Sequence, residues 1–130
     1  MNIQEGKRSN VKTSLELFTW MIFCHFIFDC YFQTNKTMKN KQWWKKRHDK
    51  SMKQYNYLIG LMIHSFVWSF GILLPFTFVN KELNYVLLIM NTLIHAIVDN
   101  LKTNEKRLSS VQDQILHIVQ IIITFLCIQY

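Results

Sequence analysis

The sequence predicts an all-α fold: a four-helix transmembrane bundle forming one integral membrane domain over residues 1–130. Three observations predict it. Turn formers are scarce, with 3 Gly and 1 Pro, which excludes a turn-rich β-barrel, a collagen-like chain and a long flexible linker. Charged residues make up only 18% of the chain, below the roughly one quarter of soluble domains, and they gather in blocks. Between the blocks lie four apolar stretches, each close to the ~17–25 residues a helix needs to cross a bilayer. An aromatic content of 15% excludes ordinary disorder, and 3 Cys without a CxxC pair fit neither a disulfide scaffold nor a zinc finger. The mean hydropathy of +0.06 does not separate a soluble bundle from a membrane one; the distribution along the chain does.

The first span, residues 15–33, follows Lys7, Arg8 and Lys12 and contains Glu16 and Asp29. A basic start before an apolar run also suits a signal peptide. No small-residue cleavage pattern follows, and His25 and Asp29 interrupt the run, so it is read as a retained span. The second, 57–79, holds no Lys, Arg, Asp or Glu, and the third, 85–101, holds only Asp99. The fourth, 111–130, holds Asp113 near its start and no charge after it. A soluble bundle needs polar outer faces, and the second and fourth stretches have no charged face.

Lys and Arg set the orientation. The loop between the first two spans and the loop between the last two lie on the same side and hold 11 of the 15 basic residues. The positive-inside rule puts that side in the cytoplasm and both termini outside, as in a multi-pass protein of a bacterial inner membrane. The first of these loops pairs Trp43 and Trp44 with Lys45, Lys46 and Arg47. Such a segment suits the interface of an anionic cytoplasmic leaflet, the alternative being a plain soluble linker. The net charge of +7 therefore requires no nucleic-acid partner, and nothing else resembles a nucleic-acid module. A homo-oligomer is compatible with the sequence.

Ionisable groups inside spans are costly and invite a functional reading. Here they form stripes. His25, Asp29 and Gln33 are spaced by four, as are Asn91, His95 and Asp99, with Lys102 three further on. The fourth span carries Asp113, Gln114, His117, Gln120 and Thr124, and the second carries His64, Ser65 and Ser69. Residues three and four apart share a helix face, so each stripe faces the bundle interior. Counting from the cytoplasmic ends places His25, His64, His95 and His117 in one layer about 10–12 Å deep at 1.5 Å per residue. Asp29, Asp99 and Asp113 lie about one turn nearer the cytoplasm.

Imidazole and carboxylate four apart on a helix suit a divalent cation such as Zn, Mn or Fe. Metal-bound His usually donates its other N–H to an amide or carboxylate, a role open to Gln33, Asn91 and Gln114. Two other readings fit the same residues: a hydrogen-bond network that only locks helix register, and an ion or proton path. The path is disfavoured because the outer half offers few polar groups beyond Thr19, Ser69 and Thr124. The metal reading is favoured because a buried ionisable cluster costs several kcal/mol (order of magnitude) unless it is used. Cys24, Cys30 and Cys127 are read as packing residues, His48 as solvated, and Gly60 and Gly71 as points of close helix approach. There is no phosphate-binding glycine loop, GxSxG or HExxH.

These motifs resemble a bacterial and phage membrane family, domain of unknown function 3307, almost end to end. The resemblance rests on His25-x3-Asp29-x3-Gln33, a Lys-bearing loop (Lys39 or Lys41), Ile63-His64, His95-x3-Asp99-x2-Lys102 and Asp113-Gln114-x2-His117. The long Trp-Trp basic loop departs from the pattern. The family is loosely similar to membrane-bound metal-dependent hydrolases and more remotely to helical zinc phospholipases. That similarity implies hydrolysis of a phosphoester or lipid-linked substrate, by fold-level analogy only. Asn, Lys and Ile usage points to an AT-rich genome, as in a phage.

The reading is therefore a divalent-metal site held by His25, Asp29, His95, Asp99 and His117. Asp113 or His64 would act as general base and Lys102 would neutralise an anionic substrate. The competing reading is a non-catalytic protein that binds a host membrane partner through its Trp-Trp loop, as in phage–host interference.

Overall fold

The structure, a computed structural model, describes residues 3–31, 50–80, 82–103 and 105–129, with side chains described at 13–29, 58–79, 82–103 and 105–129. Four helices form it. α1 runs Ile3–His25 and continues as a π-helix over Phe26–Tyr31. α2 runs Lys50–Asn80, α3 Tyr85–Thr103 and α4 Ser110–Gln129. No strand occurs among the described residues. α2 begins at Lys50, about two turns before the expected start at residue 57, so the end of the expected basic loop is helical. Gln33, Trp43, Trp44, Lys45, Lys46 and Arg47 lie outside the described residues.

Local chemistry explains the turns. Asn84 Oδ1 accepts the Leu87 backbone N–H at 3.0 Å and opens α3. Ser109 opens α4 with a reciprocal cap: its Oγ accepts the Gln112 N–H at 3.2 Å, and Gln112 Oε1 accepts the Ser109 N–H at 2.9 Å. Between α3 and α4 the chain reverses through Lys106, whose φ is 52°, and Arg107 N–H bonds the Leu101 carbonyl at 3.0 Å.

The helices pack in a ring, α1 on α2, α2 on α3, α3 on α4 and α4 back on α1. Gly71 of α2 is where the π-helical segment comes closest. A Cβ added there would lie 2.3 Å from the Phe28 ring. The sequence expectation of close approach at Gly71 holds, whereas Gly60 faces open space.

The interior has two layers. One end is apolar, built from Leu17, Met21, Ile72, Leu73, Leu88 and Ile121. The other buries His25, Asp29, His95, Asp99, Asp113 and His117. The outside inverts the soluble pattern: Trp20, Phe66, Phe78, Ile97, Ile123 and many other large apolar side chains are exposed. A surface so apolar around a polar interior suits a lipid solvent. Leu58–Val79, Tyr85–Thr103 and Ser110–Gln129 are each long and apolar enough to cross a membrane. α1 continues from His25 into the π-helical segment, which ends at Tyr31.

Candidate metal centre

α2 contributes His64 and, one turn on, Trp68. α3 contributes His95 and Asp99, α4 Asp113, Gln114 and His117, α1 His25, and the π-helical segment Asp29. The four imidazoles, counted to one depth from the sequence, and the three carboxylates, counted about one turn away, do converge. The ring planes are set by stacking. Trp68 lies on His95 with centroids 4.1 Å apart at 18°, and His95 lies on His117 at 4.2 Å and 28°.

One side of the cluster is closed by hydrogen bonds. Trp68 Nε1–H donates to His25 Nδ1 at 3.0 Å, so His25 carries its proton on Nε2 and donates it to Gln114 Oε1 at 3.1 Å. Gln114 Nε2 in turn donates to Asp29 Oδ2 at 2.6 Å and to Asp113 Oδ2 at 3.3 Å. The Lys102 ammonium pairs with Asp113 Oδ2.

The other side is open. His95 Nδ1, both nitrogens of His117 and Asp113 Oδ1 are buried without a hydrogen-bond partner among the described residues. His117 Nε2 and Asp113 Oδ1 lie 3.3 Å apart but are not aligned as donor and acceptor. His64 Nε2 and His95 Nε2 also lie 3.3 Å apart, with Asp29 Oδ1 3.7 Å and Asp99 Oδ2 4.0 Å from His64 Nε2. A tetrahedral cation with bonds of about 2.0–2.1 Å holds its ligand atoms roughly 3.4 Å apart. Orphaned buried polar atoms are costly, and the His117–Asp113 and His64–His95 pairs have the spacing of a ligand sphere. Two groups offer one ligand atom per residue within 4.8 Å of one another: Asp29, His64 and His95, and Asp29, Asp113 and His117.

The placement differs from the sequence expectation in several ways. His25 belongs to neither group, and Trp68 and Gln114 occupy both its ring nitrogens. The α-helical i, i+4 argument that paired it with Asp29 does not apply, since Asp29 sits on π-helical backbone. His64 and Asp113, expected as proton acceptors, stand among the candidate ligands. Asp99 is buried beside His64 but belongs to neither group. Gln114 has its expected supporting role. Asn91 does not: its Nδ2–H donates to the Leu87 carbonyl at 2.9 Å, and its Oδ1 accepts from Gln120 Nε2 at 2.8 Å and Thr124 Oγ1 at 2.9 Å. That network lies about one helical turn from the imidazoles, on the side of the apolar cluster. Trp68 was not anticipated. Its signal was position i+4 from His64 and the need of a buried indole N–H for an acceptor.

A family described as "Protein of unknown function (DUF3307)" matches residues 17–130. The chain belongs to this family. The match begins inside α1 and takes in the other three helices and every residue of the cluster. No curated protein and no solved structure matches the chain.

Proposed function

We propose that this chain is a membrane-embedded metalloprotein that hydrolyses a phosphoester or lipid-linked substrate at the cytoplasmic leaflet. One observation carries the reading: among the described residues both His117 nitrogens and Asp113 Oδ1 are buried without a hydrogen-bond partner, with Nε2 and Oδ1 3.3 Å apart, and His95 Nδ1 is buried unpartnered in the ring stacked on His117. A divalent cation bound there would supply Lewis acidity and a water acidified toward neutral pH. The chain's own residues do the rest. Gln114 fixes Asp29 and Asp113 in place, Trp68 fixes His25 and the plane of His95, and Lys102 puts a cation beside the carboxylates to balance charge or meet an anionic substrate. Asp99, beside His64, is the candidate for proton transfer.

The orientation proposed from the Lys and Arg distribution, with both termini outside a bacterial inner membrane, places this cluster near the cytoplasmic face. An ion path finds less support, because the Asn91–Gln120–Thr124 network sits among the apolar side chains Leu17, Met21, Ile72, Leu88 and Ile121. The test is purification in chelator-free detergent, elemental analysis, and assay against phosphoester and lipid-phosphate substrates. The reading expects a bound divalent metal and hydrolysis lost in His95→Ala and His117→Ala. A protein free of Zn, Mn and Fe overturns it. Full biological activity in those variants, with loss in a Trp43/Trp44 double alanine variant, selects the host-partner reading.

A further inference from the structure

The two candidate ligand groups share one residue. Asp29 appears in both, with His64 and His95 on one side and Asp113 and His117 on the other. Its carboxylate sits between α2 and α4: Oδ1 faces His64 Nε2 at 3.7 Å, and Oδ2 accepts from Gln114, which also bonds Asp113. Its two oxygens thus face the two groups, Oδ1 toward His64 and Oδ2 toward Gln114 beside Asp113. The two groups cannot serve one ion equally well, because the His95 and His117 rings stack at 4.2 Å and 28°, and stacked rings direct their nitrogens side by side rather than toward one point.

We propose that the centre is dinuclear, with Asp29 bridging two divalent cations, one held by His64 and His95 and the other by Asp113 and His117. The proposal rests on the metal reading above and deepens it. Two-metal hydrolytic sites hold their ions about 3.5–4 Å apart and clamp both the attacking and the leaving oxygen of a phosphoester. A shared carboxylate fits that separation. The π-helical turn of Phe26–Tyr31 gives the arrangement its geometry: it carries Asp29 to the centre of the ring of helices, and π turns are frequent at functional sites. Asp99 and Lys102 flank opposite sides, one beside His64 and the other on Asp113.

The test uses the full chain in detergent, loaded with Mn²⁺, with bound metal counted and the electron paramagnetic resonance spectrum recorded. Two equivalents per chain with an exchange-coupled multiline spectrum are expected. One equivalent overturns the dinuclear proposal and leaves the metal reading standing. Two equivalents with only isolated six-line spectra overturn the bridge. No binding overturns both readings. Variants give an independent check. His117→Ala is expected to lower the count from two to one, and Asp29→Asn to abolish the coupling. A His117→Ala chain that keeps helical circular dichroism and two coupled ions contradicts the assignment.

Discussion

Trp68 ties two imidazoles of the site to α2. It is fully buried, donates to His25 and stacks on His95. Replacing it by Phe leaves the stack but orphans the His25 acceptor, which costs about 1–3 kcal/mol. Denaturation of Trp68→Phe in detergent is expected to show that loss with metal content retained, because His25 is not a candidate ligand. A loss of metal equal to that of His95→Ala would return His25 to the ligand set. This is also where sequence legibility ends. Spacing by four puts His25, His64, His95 and His117 on inward stripes at one depth, since that follows from helix periodicity alone. Which ring nitrogens are already occupied depends on a Trp and a Gln arriving from other helices, and no spacing within one helix reports it. Asn91 makes the same point: it has the right period and a different partner.

Among the elements, the π-helical end of α1 and its contact with α2 decide the geometry. Gly71 receives the Phe28 ring, and an added Cβ would be 2.3 Å from it. Gly71→Ala is therefore expected to destabilise the protein by about 1–3 kcal/mol through overpacking. Phe28→Leu in the same chain should recover part of the loss; equal loss in the double variant would place the strain elsewhere. At α4, Ser109→Ala removes a cap worth about 1 kcal/mol, and the thermal midpoint should fall with the metal count unchanged. Helix number was legible because charge blocks bracket each apolar stretch, whereas α1 and α2 begin before the stretches do, at Ile3 and Lys50. The π turn was not, since Phe26–Tyr31 has no Pro or Gly to announce it.

At the scale of the molecule, polarity is inverted: large apolar side chains face outward and His and Asp face inward. Three helices of spanning length predict that the protein stays with the membrane pellet after alkaline carbonate extraction; release into the supernatant would contradict an integral protein. Four helices, each supplying ligands or their supports, predict that metal and fold stabilise each other, since a cation that binds only the folded chain adds stability by mass action. A chelator should lower the thermal midpoint of the purified protein, and added Zn²⁺ or Mn²⁺ should restore it. The most direct measurement is an anomalous difference map of the detergent-solubilised protein, recorded across the absorption edge of the bound metal. The account predicts density between the side chains of Asp29, His64, His95, Asp113 and His117. A map with Asp113 and His117 satisfied by water, and no anomalous density there, would contradict it.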